Sequence, residues 1–227
     1  MIRLHIIAEG QTEQNFVKQI LTPHLAQFDV FADARCVMTS RDKHTSKFYR
    51  GGLSNYEKPK KDILAWLNED HNEDCRFTTM FDLYGLPDDF PGYTIAKAQS
   101  DPYMQVKIIE DNLGMDINDS RFIPYIQLHE FEALILADPK QLAFEYLEHD
   151  KAIHNLISMV GDQNPELIND GRETAPSKRI ISEIKAYKKT TAGVAVVAEI
   201  GLPTLRGKCR HFKEWISNLE RLAGKQP

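Results

Sequence analysis

The first half of the chain alternates between short apolar runs and apolar residues at helical spacing. Ile2 to Ala8 has the length and β-branching of a buried strand and stops at Glu9-Gly10, where glycine marks a turn. From Thr12, a helix-capping residue type, apolar residues recur every three or four positions up to Leu25. The chain is therefore predicted to open as strand, turn and helix, with the helix kinked or ended by Pro23.

The same pattern predicts three more strands, each followed by helical spacing. The predicted strands are Val30 to Met38, Arg76 to Leu83 and Phe122 to Leu128, and the predicted helices include Asp62 to Leu67, Asp101 to Leu113, His129 to Ala137 and most of the remaining chain. Strands that alternate with helices favour the α/β class, a mostly parallel sheet flanked by helices. We expect an α/β core over residues 1–140 and a mostly helical C-terminal part, 141–227, packed on the same core.

Composition narrows the class of protein without identifying it. The chain has 227 residues, 42% of them hydrophobic, which is enough to bury a sizeable core. Cys36, Cys75 and Cys209 lack the spacing of a disulfide framework or a zinc site, so a reducing cytoplasm is expected. The longest clean apolar run, Ala133 to Ala137, is too short to span a membrane, and the N-terminus does not resemble a signal peptide.

A formal net charge of −5 conceals a strong segregation of charge along the chain. Residues 62–170 carry 22 acidic and 6 basic side chains, whereas 41–61 carry 2 and 7, and 171–227 carry 5 and 12. The first basic segment contains Phe48, Tyr49 and Tyr56, and Arg50 precedes a Gly-Gly pair that would let a backbone approach a phosphate. Basic residues interleaved with aromatic ones suit a nucleic-acid strand; the alternative is a solvated loop and polar helix faces.

Carboxylates follow three of the predicted strands. Glu9 ends the first strand, with Glu13 in the next helical turn; Asp82 ends the third; Glu130 and Glu132 follow the fourth. Since ligands of open α/β sheets collect at the carboxyl ends of strands, these side chains predict a site of hard oxygen ligands for Mg²⁺ or Mn²⁺. Two such metals can clamp both oxygens of a phosphodiester displacement. Alternatively, Glu13 complements a helix dipole and Asp82 caps a turn.

A second set of residues predicts a phosphate contact. Ser177 is the expected N-cap of a helix whose first turn holds Lys178 and Arg179, and two cations at a helix start favour a visiting anion. The alternative is that both point into solvent or pair with acidic residues. Arg206 and Arg210 are weaker candidates, interpreted as surface charge at a helix start.

Three familiar motifs are missing. His129-Glu130 begins like a zinc-protease H-E-x-x-H motif, but Ala133 stands where the second histidine belongs, so His129 either contacts a carboxylate or substrate or is structural. The chain contains no P-loop or dinucleotide-binding glycine motif, so any ATPase activity would belong to a separate partner.

Several motifs together resemble a known group of proteins. Glu9-Gly-Gln-Thr-Glu13 resembles the E-G-x-T-E opening of Toprim-like nucleases, including the overcoming-lysogenization-defect type. Over nearly the whole chain the motif set is similar to a bacterial Toprim-like family of unknown function, often encoded beside ABC-type or SMC-like ATPases in defence-related neighbourhoods. These motifs are Glu9–Glu13, Phe81–Pro87, Phe90–Gly92, Pro124–Leu134, Ile168–Gly171 and Ala175–Arg179.

The resemblance assigns a role to each matching residue. It implies a Toprim-like fold in which Glu9 is the catalytic or metal-binding glutamate, Glu13 its second-metal partner and Asp82 the first aspartate of the D-x-D pair. Tyr84 replaces the second aspartate, which leaves Glu130, Glu132, Asp88 or Asp89 to complete the metal shell. Lys178 would neutralise charge in the transition state.

The expected function is thus a Mg²⁺- or Mn²⁺-dependent nuclease, the effector of an ATPase-linked defence system. The alternative is a catalytically inactive Toprim-like module that binds nucleic acid or a partner ATPase. Expected partners are a nucleic acid and, as open alternatives, an ABC- or SMC-like ATPase or a second copy of the chain. No membrane partner is expected.

Overall fold

The computed structural model describes residues 1–41, 48–50, 53–168, 171 and 174–224, with the side chains of 38–41 and 48–50 left out. The strands are β1 (Ile2–Ala8), β2 (Val30–Cys36), β3 (Met38–Arg41), β4 (Phe48–Arg50), β5 (Cys75–Asp82), β6 (Phe122–Ile123) and β7 (Ile126–Gln127). The α-helices are α1 (Gln11–Phe16), α2 (Thr22–Leu25), α3 (Glu57–Glu69), α4 (Tyr93–Lys97), α5 (Pro102–Ile117), α6 (Asp150–Val160), α7 (Pro176–Glu183), α8 (Val194–Lys208) and α9 (Arg210–Glu220). Short 3₁₀ turns and two π-helical segments join several of these elements.

A five-stranded sheet forms the centre of the α/β part. Its strands follow the order β2-β1-β5-β6, and β7 pairs with β5 beside this path. Each pairing along the path is parallel, with Ala8 opposite both Cys36 and Met80. β5 is buried along nearly its whole length, as expected of a central strand covered on both faces. The predicted α/β class, a mostly parallel sheet flanked by helices, is confirmed, while β3 and β4 form a separate antiparallel pair.

The first helix begins earlier than predicted. Gly10, not Thr12, is its N-cap, and the Glu13 carboxylate accepts the Gly10 N–H at 2.9 Å. The helical path continues through a π-helical segment, Val17–Leu21, into α2. Pro23 lies in the first turn of α2, directly after the π-helical segment, and it does not end the helix.

The predicted fourth strand is split into β6 and β7 at Pro124. In place of a backbone ladder, the Thr79 hydroxyl accepts the Tyr125 N–H and donates to the Tyr125 carbonyl, both at 2.9 Å. The stretch after β7, predicted as one helix over residues 129–137, forms two 3₁₀ turns, Phe131–Ala133 and Ile135–Ala137. These turns are apolar apart from Glu132, and all of their residues are buried. A helix is recognised from sequence by an apolar face opposite a polar one, and this stretch has no polar face.

The chain divides into two compact units whose bounds differ from the predicted 1–140 and 141–227. The first unit comprises Met1–Ile126 and Ser217–Pro227, and the second comprises Gln127–Ile216. Within the first unit, His24 Nε2 lies 2.7 Å from Glu220 Oε1 and so joins the N-terminal helical path to the end of α9. Within the second unit, α8 kinks at Gly201, two residues before Pro203. Along the part of the chain that the structure describes, no helix has the length and apolar character that crossing a membrane requires.

Candidate active site

Glu9 and Asp82 lie at the carboxyl ends of two neighbouring parallel strands in the first unit. The Glu9 N–H donates to the Met80 carbonyl at 3.1 Å, which extends the β1–β5 pairing by one residue. The Asp82 N–H donates to Glu9 Oε2 at 3.0 Å. The structure therefore brings together the Glu9 carboxylate and the end of the strand that carries Asp82, as the strand-end pattern predicts.

A glycine makes this position of the Glu9 carboxylate possible. Gly85 ends the 3₁₀ turn Leu83–Gly85 that follows Asp82. A Cβ atom at Gly85 would lie 2.6 Å from each of the two Glu9 carboxylate oxygens, closer than nonbonded atoms approach. Gly85 is thus a residue of the site that was not predicted from the strand ends, although it lies within the Phe81–Pro87 motif.

Glu13 follows Glu9 by four positions, and its carboxylate is oriented by a backbone N–H at the start of α1. Its side chain is 3% exposed, and its Oε2 accepts the Gly10 N–H. This contact is one half of a capping box, in which the acidic side chain at N3 accepts the N–H of the N-cap residue. That N–H has no carbonyl partner within the helix. The structure shows the helix-start role that was the alternative interpretation of Glu13, and the metal role remains a proposal.

The remaining acidic candidates of the first unit differ in their surroundings. Asp82 is 6% exposed. The Asp89 carboxylate accepts the Tyr56 N–H at 3.0 Å and so fixes the entry to α3, while Asp88 is exposed. Tyr84, which replaces the second aspartate of the D-x-D pair, has a buried hydroxyl oxygen. Asp89 is therefore held by a backbone contact that is independent of any metal.

Glu130 and Glu132 belong to the second unit, where each carboxylate contacts protein donors. Glu130 accepts a short hydrogen bond from the Ser177 N–H and one from the Ser177 hydroxyl at 3.0 Å. Glu132 is fully buried; it accepts the Tyr187 hydroxyl at 3.2 Å and pairs with Lys189 Nζ at 3.1 Å. Burial, followed by the charge of Glu132, raises the pKa of Tyr187, so the phenol stays protonated and donates. Tyr187 and Lys189 were not predicted as partners.

Lys178 and Arg179 lie in the first turn of α7, as predicted, but the cap of this helix differs. Ala175 is the N-cap and Pro176 the first helical residue, so the prediction of Ser177 as N-cap is wrong. Ser177 instead directs both its N–H and its hydroxyl to Glu130. Arg179 Nε donates to the Thr174 carbonyl at 2.7 Å, and Lys178 is exposed.

The other basic candidates occupy different positions from those expected. Arg206 lies in the last turn of α8, where a cation complements the helix dipole, rather than at a helix start. Arg210 begins α9, and its Nε lies 3.0 Å from Glu214 one turn later. Only the backbone of β4 is described, so the side chains of Arg50, Phe48 and Tyr49 lie outside the described part of the structure.

His129 has the environment of a structural histidine. Its backbone adopts φ 59°, and its side chain is 3% exposed. Burial lowers its pKa to about 4, against an opposing hydrogen bond with the Glu166 backbone, so the ring is neutral near pH 7. Glu166 is itself fully buried and accepts the His211 and Phe212 N–H groups at 3.0 and 2.9 Å, at the start of α9. His129 thus adjoins a polar contact that caps a helix.

The donor chemistry at the edge of the first unit fits a hard divalent cation. Glu9 and Asp82 supply carboxylate oxygens, and Mg²⁺ is commonly held by one or two carboxylates together with water and substrate phosphate. Among the described residues, no three histidine, cysteine, aspartate or glutamate side chains are grouped so as to hold a metal ion. Glu9 and Asp82 are the residues that would hold one here.

Comparison with known proteins gives one family and one solved structure. Residues 8–220 match the model of a family described as a domain of unknown function (DUF4276). The fold is similar to the C-terminal region of the Burkholderia pseudomallei OLD protein, with a TM-score of 0.45 and 14% sequence identity over 97% of this chain and 99% of that one. No curated protein matches the chain.

Proposed function

The chain belongs to the DUF4276 family, whose function is unknown, and we propose that it is a Mg²⁺- or Mn²⁺-dependent nuclease that cleaves nucleic-acid phosphodiesters. The observation that carries this proposal is the hydrogen bond from the Asp82 N–H to Glu9 Oε2, which sets two carboxylate-bearing residues at adjoining strand ends. Ligands of open α/β sheets bind at this edge. The motif resemblance to Toprim-like nucleases supports the same assignment.

In this proposal the two carboxylates have one task, to hold the metal. Glu9 and Asp82 would bind it, and Glu13 would contribute to a second site as the resemblance implies. A bound Mg²⁺ or Mn²⁺ polarises a phosphoryl oxygen and stabilises developing negative charge. The Asp82 N–H keeps the Glu9 carboxylate oriented, and Gly85 leaves it the space to lie there.

Basic residues of the chain would contact the nucleic-acid backbone. We propose this role for Arg50, Lys178, Arg179, Arg206 and Arg210, with Lys178 also neutralising charge in the transition state. The exposed position of Lys178 in the first turn of α7 supports its part, because an exposed cation can reach a phosphate of a bound strand. Arg210 already faces Glu214, so we expect it to contribute less.

The central test is cleavage of DNA and RNA with Mg²⁺ or Mn²⁺ by the native chain and by Glu9→Gln and Asp82→Asn. Metal-dependent cutting that is lost in both variants is the expected result, because each substitution removes a charged ligand but keeps the size of the side chain. Asp111→Asn is the matched control, since Asp111 is an exposed carboxylate on α5 that pairs with Lys107. Undiminished cutting in both site variants, or no cutting of any substrate even with a partner ATPase present, would refute the proposal.

A second candidate function, a binding module without catalysis, is favoured by one observation. The carboxylates of Glu13, Glu130 and Glu132 all contact protein donors, as expected of carboxylates that stabilise the fold. Such a module would bind nucleic acid with a salt dependence set by its Lys and Arg contacts. Lys178→Ala should then weaken binding on every sequence and reduce the salt slope by about 1. An unchanged salt slope would mean that Lys178 contacts no phosphate and is an ordinary surface charge.

We further propose that the nuclease acts in the cytoplasm with an ABC- or SMC-like ATPase. The chain has no P-loop motif of its own, so energy from ATP would have to come from such a partner. Copurification of the two proteins and stimulation of cutting by ATP are the measurements that test this.

A further inference from the structure

A cavity of about 320 Å³ opens in the first unit beside the proposed catalytic edge. It is lined by Ile7 near the end of β1, by Cys36 at the end of β2, by Gln14 of α1 and by Trp66 of α3. Ile7 stands two residues before Glu9, and Gln14 directly follows Glu13. The cavity therefore shares the carboxyl edge of the sheet with the proposed metal ligands and adjoins them in sequence on two elements.

One wall of the cavity is apolar and partly aromatic. Ile7, Val37, Ala65 and the indole of Trp66 line it. The Arg35 guanidinium carbon lies 4.3 Å from the centre of the Trp66 ring, at the distance of a cation–π contact. A guanidinium held over an indole presents a planar surface on which another flat group can stack.

The charges around the cavity disfavour an anionic occupant. Arg35 brings one positive charge, whereas Asp62 and Glu69 bring two negative ones, and Arg35 Nη1 already lies 2.6 Å from Glu69 Oε2. A phosphate would meet more negative than positive charge here. A neutral, flat group with hydrogen-bond donors on its edge fits these lining groups better, because the two carboxylates accept and the face of the guanidinium stacks.

The size of the cavity agrees with a small heterocycle. A volume of about 320 Å³ lies at the lower end of the range for small-molecule sites, about 300–1,000 Å³. Gln14 is fixed on both sides, since its Nε2 donates to the Ala34 carbonyl and its Oε1 accepts from Gln11 Nε2. The wall nearest Glu13 is thus preformed and needs no rearrangement to receive a ligand.

We propose that this cavity binds one nucleobase of the nucleic-acid strand, stacked on the Arg35–Trp66 pair, next to the phosphodiester held at Glu9 and Asp82. This inference rests on the proposed nuclease function and adds a single-stranded or unpaired segment as its substrate class, because a base inside a duplex cannot enter a cavity. The bound group is a nucleobase in either case, and a free nucleoside could supply it in place of a nucleic-acid strand.

Labelling of Cys36 with a thiol reagent tests the site without any cleavage. Cys36 lines the cavity and is half-buried, whereas Cys75 and Cys209 are fully buried, and burial raises the pKa of the Cys209 thiol. With metal omitted, a short single strand should slow labelling about tenfold at a concentration nine times its Kd. Ribose 5-phosphate and inorganic phosphate should not slow it, and Cys36→Ser should abolish the labelling itself.

Two variants separate stacking from charge. Arg35→Ala and Arg35→Lys should both lose most of the protection, because lysine keeps the charge but lacks the planar group. Arg35 is exposed, so neither change should unfold the chain, and Lys107→Ala, which removes the cation of another exposed ion pair, should keep full protection.

Four outcomes of the labelling experiment would each overturn the inference. Protection by phosphate alone, full protection in Arg35→Lys, or no protection by any strand would do so, and protection by adenosine but by no strand would assign the cavity to free nucleosides instead. Metal-dependent cutting without Cys36 protection would remove only the base site. Protection without cutting by any preparation would remove only the nuclease.

Discussion

The candidate carboxylates Glu9, Glu130 and Glu132 are held in different ways in the two units. In the first, the Glu9 carboxylate accepts a backbone N–H from the neighbouring strand end and lies against a glycine. In the second, Glu132 is fully buried against a phenol and an ammonium group, and Glu130 is bound by both donors of one serine. An amide orients a carboxylate without altering its charge, whereas an ammonium ion offsets that charge.

This difference separates residues that can serve a metal from residues that serve the fold. A carboxylate held by a neutral donor keeps the negative charge that attracts Mg²⁺, while one paired in the interior is stabilised where it is. We therefore expect substitutions at the first unit's strand ends to change activity, and substitutions at Glu132, which pairs with Lys189, to change stability. Glu130 has neutral donors, so its substitution should cost only the stability that its two hydrogen bonds contribute.

The largest expected effect comes from moving the Glu9 carboxylate without removing it. Gly85→Ala places a methyl group 2.6 Å from both Glu9 oxygens, and the long glutamate side chain can shift to relieve the clash. We expect cleavage to fall about 100-fold, as for a misplacement of about 1 Å, with little change in the free energy of unfolding. Gly207→Ala is the control, because a Cβ there meets no atom within 4 Å. Full activity in Gly85→Ala would mean that the position of Glu9 is not catalytic.

The next effect probes the second unit. Glu132→Gln leaves Lys189, whose side chain is 38% exposed, without its ion-pair partner and should lower the free energy of unfolding by about 2 kcal/mol. Glu9→Gln should change it by less than about 0.5 kcal/mol. Urea denaturation of both variants measures the contrast. If Glu132→Gln instead abolished cutting with stability unchanged, Glu132 would belong to the metal shell and the distinction between the units would fail.

A smaller effect is expected at the other second-unit carboxylate. Ser177→Ala removes the hydroxyl that donates to Glu130 and keeps the backbone donor, so the loss should be about 1 kcal/mol in the free energy of unfolding. Ser182→Ala removes an exposed hydroxyl that donates within the same helix and should cost less. Equal losses in the two variants would show that the Glu130 contact contributes no stability of its own.

The smallest expected effect is a pH dependence of stability in the first unit, where two carboxylates contact a histidine that can carry a positive charge. His5 lies 2.8 Å from Asp33 and 3.4 Å from Asp70. Burial lowers the pKa of His5, but hydrogen bonds and charge from Asp33 and Asp70 outweigh it, so the pKa is raised above 6.5. The folded state thus binds the proton more tightly than the unfolded one. The resulting stability is complete below pH 6.5 and is lost as the pH rises through the folded-state value.

For this partly exposed cluster we expect a loss of less than about 1 kcal/mol between pH 6 and pH 9. His5→Gln should flatten that slope, and Asp33→Asn should reduce it. Denaturation curves at a series of pH values provide the measurement, and an identical slope in His5→Gln would exclude His5 as its source.

The strand ends were predictable from the sequence because hydrophobic runs stop abruptly at charged residues. β1 and β5 end within one residue of the predicted positions, which places Glu9 and Asp82 as expected. Contacts between distant residues were not predictable in this way. Tyr187 is 55 positions from Glu132, and no local periodicity links them. The split of β6 from β7 did have a local signal, because Pro124 has no N–H to offer a strand ladder. The Thr79 hydroxyl contacts that replace the ladder there had none.

The return of the chain to its first unit has a consequence for synthesis on the ribosome. His24 pairs with Glu220, 196 positions later, so the first unit gains this contact only after translation has passed through all of the second. The second unit is one continuous segment and is available to fold as soon as it emerges. The half of the molecule that is translated first is therefore completed last, and a nascent chain would carry the proposed catalytic edge on an unfinished unit until Glu220 has been added.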